Sequence, residues 1–125
     1  MHAAQMEAYR TAQKSSGSPR EVEAAVLTRA ALLLKACQDN WAVGDHEQNL
    51  REALRVNQMI WNIFQTELAS VENPMPRKLR EDILSLSAFI DRRILEVMAC
   101  PARDKLKAII DINLNLAAGL RGSAG

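Results

Sequence analysis

Apolar residues recur along this chain at spacings of three and four, and no stretch of useful length alternates with period two. The pattern predicts helices throughout and no sheet. Punctuation divides it into about five. Residues 3–14 form a first predicted helix, closed by Ser15-Ser16-Gly17-Ser18. A second opens at Pro19, where Ser18 and Glu21 make a capping box, and ends at Gly44. A third begins at Asp45, with an acid at the positive end of the helix dipole, and runs to about Val71. Asn73-Pro74-Met75-Pro76 separates it from a fourth, which stops before Cys100-Pro101, and Pro101 opens a fifth that ends in a flexible tail at 122–125.

The stripes indicate which faces are buried. In the second helix Val22, Ala25, Val26, Leu33, Ala36 and Cys37 share one face, widened by Leu27, Leu34 and Trp41. The third carries Leu50, Ala53, Leu54, Asn57, Trp61, Phe64, Leu68 and Val71, and the fourth Leu79, Ile83, Leu86, Phe89, Ile90, Ile94 and Val97. The fifth reads Leu106, Ile109, Ile110, Asn113, Leu116, Ala117 and Leu120. The chain is therefore expected to be all-α: one small helical bundle over 1–125, with antiparallel neighbours where connections are short. The 3–14 helix, behind the Gly/Ser linker, is the element most able to detach.

Composition agrees with this and narrows the function. Of 125 residues, 48% are hydrophobic and 25% charged, the balance of a globular domain and not of a disordered chain. Aromatic residues, at 4%, are too few for a β fold or a stacking platform. Sixteen Lys and Arg against 15 Asp and Glu leave a charge of +1, which offers no long-range field for nucleic acid or anionic lipid. The first ten residues lack the apolar run of an export signal, and no apolar run approaches a bilayer span, so a cytoplasmic location with no membrane contact is expected. Cys37 and Cys100 are then expected to be reduced and buried.

Catalytic chemistry is not indicated. His2 and His46 have no ligand cluster around them, so neither metal nor cofactor is expected, and the paired acids fall on polar faces. Arg77, Lys78 and Arg80, Arg92 and Arg93, and Arg103, Lys105 and Lys107 are diluted by acids and lack interleaved aromatics. Several of these cations lie near helix starts, a slightly unfavourable position. Two features ask for explanation. Asn57 and Asn113 interrupt apolar stripes, where an unpaired amide costs about 1 to 3 kcal/mol. Each is expected to be buried and hydrogen-bonded to backbone or to its counterpart, or to face a groove. Trp41, Trp61 and Phe64 hold most of the aromatic surface, and Trp is both a core residue and a frequent binding anchor.

The order of several segments resembles the FlaF family of bacterial flagellar biosynthesis proteins. They are Tyr9 ahead of the linker, residues 18–24, Leu54-x-x-Asn57-x-x-Ile60-Trp61-x-Ile63-Phe64, residues 84–93 with Phe89-Ile90-Asp91-Arg92-Arg93, Asp111-Ile112-Asn113, and Ala117-Ala118-Gly119-Leu120. Leu114 departs from the basic residue that the resemblance leads one to expect there. What the resemblance implies is a non-enzymatic factor for flagellin production and export, with flagellin as partner and a functional link to the translational repressor FlbT. A cytosolic secretion chaperone that covers apolar helical ends of flagellin by helix-in-groove recognition fits that expectation. The alternative is an RNA-binding post-transcriptional regulator of the flagellin message. The expected partner-binding residues are Tyr9, Asn57, Trp61, Phe64, Asn113, Leu116 and Leu120, in a groove bordered by the third and fifth predicted helices and gated by the first.

Overall fold

The computed structural model describes residues 19–124 apart from 43, 45 and 71. Among the described residues there are four α-helices and no strand. They are α1 (Pro19–Asp39), α2 (His46–Ala69), α3 (Arg77–Ala99) and α4 (Leu106–Ala124), with a 3-10 turn at Arg103–Lys105. The first predicted helix, over 3–14, lies outside the described residues. The last helix starts later than Pro101 suggested. Ala102 is extended, and the chain makes the 3-10 turn before α4 can begin.

The helices run up, down, up and down. Arg103, just ahead of α4, reaches Gln38 at the end of α1, and Arg121 near the end of α4 reaches Thr28 midway along α1. α1 is thus antiparallel to α4. It packs most extensively on α4 and next on α2, whereas α3 leans chiefly on α2 and meets α4 sparingly. Small residues allow the close α1–α4 approach. Ala24 and Ala31 of α1 and Ala117 of α4 are fully buried, and larger side chains there would hold the two backbones apart.

The inward face of α1 is Ala24, Leu27, Ala30, Ala31, Leu34 and Cys37. Ala25, Leu33 and Ala36, placed inside by the sequence pattern, are exposed. The run Ala30-Ala31-Leu32-Leu33-Leu34 is apolar all round, so periodicity alone left its phase open. Leu79, expected in the α3 stripe, is also exposed, while Ser87 takes a place in the buried face. The stripes of α2 and α4 agree with the pattern.

Local chemistry closes the turns. Gly44 sits at φ +24°, a value that β-carbon sterics disfavour for other residues. Asn73 holds the α2–α3 connection from both ends of its amide, donating to Glu67 O at 3.1 Å and accepting from Met75 N–H at 2.9 Å. Met75 is thereby tucked into the core. The two cysteines are unbridged, but only Cys37 is buried. Cys100 is exposed because α3 ends at Ala99 and leaves it in the turn before Pro101.

Candidate functional site

The most distinctive chemistry lies in the interior. Asn57 of α2 and Asn113 of α4, each fully buried, face one another across the bundle. Asn113 Nδ2 donates to Asn57 Oδ1 at 2.7 Å, and its own Oδ1 accepts from Trp61 Nε1 at 3.0 Å. Asn57 Nδ2 donates to Ala30 O of α1 at 3.1 Å and to Ala53 O at 2.9 Å. One continuous chain of hydrogen bonds therefore ties α1, α2 and α4 together, and every polar side-chain atom in it is paired. In a low-dielectric core such a network favours one helix register over its neighbours, because a slip of one turn would orphan several groups at once. The expectation that both amides are buried and bonded holds.

A second polar contact fixes α3. Gln65 of α2 donates from Nε2 to Asp91 Oδ2 at 2.9 Å and also to Ser87 Oγ, which is buried between the helices. Ser87 and Asp91 lie in the 84–93 segment that carried the resemblance, but Gln65 and its contact with them were not expected from the sequence. The signal was available: a serine on the buried phase of an apolar stripe, with an acid one turn on.

The basic residues prove to have structural duties. Arg80 donates to Ser70 O beyond the end of α2, Arg103 to Gln38 O at the end of α1, and Lys105 to Cys100 O at the end of α3. None of these helices has a basic residue of its own in its last turn. In an antiparallel bundle each helix start lies beside another helix's end, so a cation there meets carbonyls and the negative pole of its neighbour. Arg77, Lys78 and Lys107 pair with acids one turn along, and Arg93 lies over the Phe89 ring, 5.2 Å from its centroid. Among the described residues, no group of three His, Cys, Asp or Glu side chains is placed to hold a metal ion. His46 packs edge-on to Trp41 with centroids 4.1 Å apart.

The expected partner-binding residues fall in different places. Asn57, Trp61 and Asn113 form the buried network, and Phe64 and Leu120 are buried beside it, with the Phe64 ring edge-on to Trp61 at 5.9 Å. Leu116 is partly buried against the core. Tyr9 lies outside the described residues. α2 and α4 lie on a diagonal, and the space between them is filled by Trp61 and Asn113 and not open as a groove. Surface grooves run instead along α1–α2, α1–α4 and α2–α3. Leu32 and Leu114, 57% and 38% exposed, flank the α1–α4 groove, and Leu95 and Met98 project from α3 at 60% and 42%.

Glu23 is the one acid in the buried set of α1. Burial pushes its carboxyl above the usual glutamate range, against the downward pull of Arg20 at 3.1 Å, and Glu67 adds to the rise. The α1–α2 groove contains Cys37, whose thiol burial also pushes up, making it a poor nucleophile. No helix among the described residues is long and apolar enough to cross a membrane.

Neither the curated proteins nor the solved structures contain a match to this chain. The family model described as flagellar protein FlaF matches residues 5–120, nearly the whole sequence. With the helical bundle and the segments around Asn57, Asp91 and Asn113 that carried the resemblance, this places the chain in the FlaF family of flagellar proteins.

Proposed function

We propose that this chain is a cytosolic chaperone that binds monomeric flagellin, holds it for export and promotes its synthesis in functional opposition to FlbT. It acts by binding and not by catalysis. The observation that supports the reading is the flagellar protein FlaF match over 5–120, which covers nearly the whole chain. The surface supports a protein partner. Leu32 and Leu114 expose apolar area along the α1–α4 groove, Met98 does so along the α2–α3 groove, and Leu95 is exposed on the same helix.

The charge distribution weighs against direct binding of the flagellin message. Arg80, Arg103 and Lys105 are engaged with helix-end carbonyls, and Arg77, Lys78 and Lys107 with acids. A net charge of +1 leaves little for a phosphate backbone. The test is size-exclusion chromatography of the purified chain mixed with purified flagellin at low and at high salt. A complex that persists at high salt is expected. Binding to flagellin RNA that weakens steeply with salt, with no flagellin complex at either salt, would replace this reading by the regulator of the message.

A further inference from the structure

Along the seam of α2 and α3 an apolar line lies between cations. Leu95 and Met98 of α3 are 60% and 42% exposed, and Met98 borders a groove that also contains Leu50, Leu54 and Val97. At about 100° per residue, Arg92, Leu95 and Met98 follow one another in steps of roughly 60° around α3, so they rise along one side of the helix. Arg51 and Arg55 of α2 line the same groove from its other wall. Arg51 and Arg92 enter no side-chain hydrogen bond or ion pair among the described residues, and Arg55 meets Glu52 only at 3.5 Å. The acids of α3 beside the patch are occupied, Asp91 by Gln65 and Glu96 by Arg93. Glu47, at the start of α2, offsets one of the three cations. Apolar surface and unmatched positive charge therefore coincide on this face.

We infer that the α2–α3 seam binds an acidic amphipathic helix of a partner protein, its apolar residues on Leu95, Met98 and the groove and its carboxylates against Arg51, Arg55 and Arg92. Charge selects that occupant. A second copy docked about a two-fold axis would set the patch against itself and bring cations onto cations. A flat anionic lipid surface could meet the cations but could not fill the groove, whereas the side chains of a helix can. RNA would find the Phe89 ring of α3 already covered by Arg93, 5.2 Å from its centroid, and no stacking platform on offer. The α1–α4 groove has no such bias, since Lys35 and Lys107 are matched by Asp39 at 3.0 Å and Asp111 at 2.6 Å. The inference rests on the reading that the chain acts by binding protein, and not on flagellin being the partner.

The experiment measures fluorescence anisotropy of a labelled synthetic helix, about five turns long, with leucines at i, i+3, i+4 and i+7 flanked by glutamates, and of its counterpart flanked by lysines. The full chain should bind the glutamate peptide at least about tenfold more tightly than the lysine peptide. Arg51→Glu combined with Arg92→Glu should invert that preference, and Leu95→Ser should weaken binding about fivefold or more. Leu32→Ser, on the α1–α4 groove, should change nothing. All four positions are exposed, so thermal unfolding of each variant should match the parent. Equal affinity for the two peptides, no binding of either, a glutamate preference that survives the double reversal, or dependence on Leu32 in place of Leu95 would each overturn the assignment. So would phosphatidylglycerol vesicles or single-stranded RNA binding in place of the peptide, or a dimer in sedimentation that Leu95→Ser disperses. A flagellin complex in size exclusion stands or falls separately, because the peptide assay contains no flagellin.

Discussion

Replacing Asn113 by leucine tests whether the buried amide chain holds the bundle together. Leucine has as many side-chain heavy atoms as asparagine and a similar branched shape, so the change removes polarity and leaves no cavity, at the cost of slightly bulkier methyl groups. It leaves the Trp61 indole N–H and Asn57 Oδ1 without partners, since Asn113 is the side chain that pairs each of them. An orphaned buried donor or acceptor costs about 1 to 3 kcal/mol, and the apolar surface gained by leucine offsets part of two such terms, which leaves a net loss of about 3 kcal/mol. Against the roughly 5 to 15 kcal/mol that stabilises a domain, this is a large fraction. The melting temperature should fall by roughly 12 °C. Thermal unfolding followed by circular dichroism reads this fall and urea unfolding the free-energy loss, and two further variants separate the contributions. In a Trp61→Phe background the indole donor is gone, so Asn113→Leu should cost less by about one orphaned group. Asn57→Leu combined with Asn113→Leu should cost less than the sum of the two singles by at least about 1 kcal/mol. If Asn113→Leu lies within about 0.5 kcal/mol of the parent, or if its cost is unchanged without the indole, the network does not carry the stability assigned to it.

The raised pKa of Glu23 means that the folded chain holds this proton more tightly than the unfolded one. Its contribution is complete below the ordinary glutamate range and is lost as pH rises through the raised value, so the stability of the parent relative to Glu23→Gln should decline from acid towards neutral pH; a flat difference contradicts it. Cys100 should react with a thiol reagent in the native state and Cys37 only after unfolding, which a thiol count with and without denaturant reads directly. Gly44→Ala forces a β-carbon into positive φ and should cost about 1 kcal/mol in the same urea assay.

Much of the fold was legible because its signals are local. Gly44, the Asn73 to Pro76 segment and Pro101 each disrupt a helix by backbone chemistry that needs no partner, and the breaks lie where they occur. The polar interruptions at Asn57 and Asn113 were legible for an energetic reason, since an amide in an apolar stripe must be paired. The phase of α1 was not, because a helix wedged between α2 and α4 is apolar over most of its circumference and the decision falls to Ala24 and Ala31, whose value lies in being small. Nor could the sequence show that Gln65 meets Ser87 and Asp91, a contact made only once two helices are aligned.

The buried position of Trp61 changes what it can mean for partner recognition. A fully enclosed indole, bonded to Asn113 and edge-on to Phe64, is part of what holds the bundle closed. Flagellin could reach it only after a helix moved, and that movement would also break the amide chain joining α1, α2 and α4. Any affinity gained at Trp61 would first have to offset the loss of several buried hydrogen bonds. Leu32, Leu114, Leu95 and Met98 carry no such cost, because covering them removes exposed apolar surface and breaks nothing. An aromatic residue in an amphipathic stripe is thus a weaker indicator of a binding anchor than an aliphatic one that the folded bundle leaves outside.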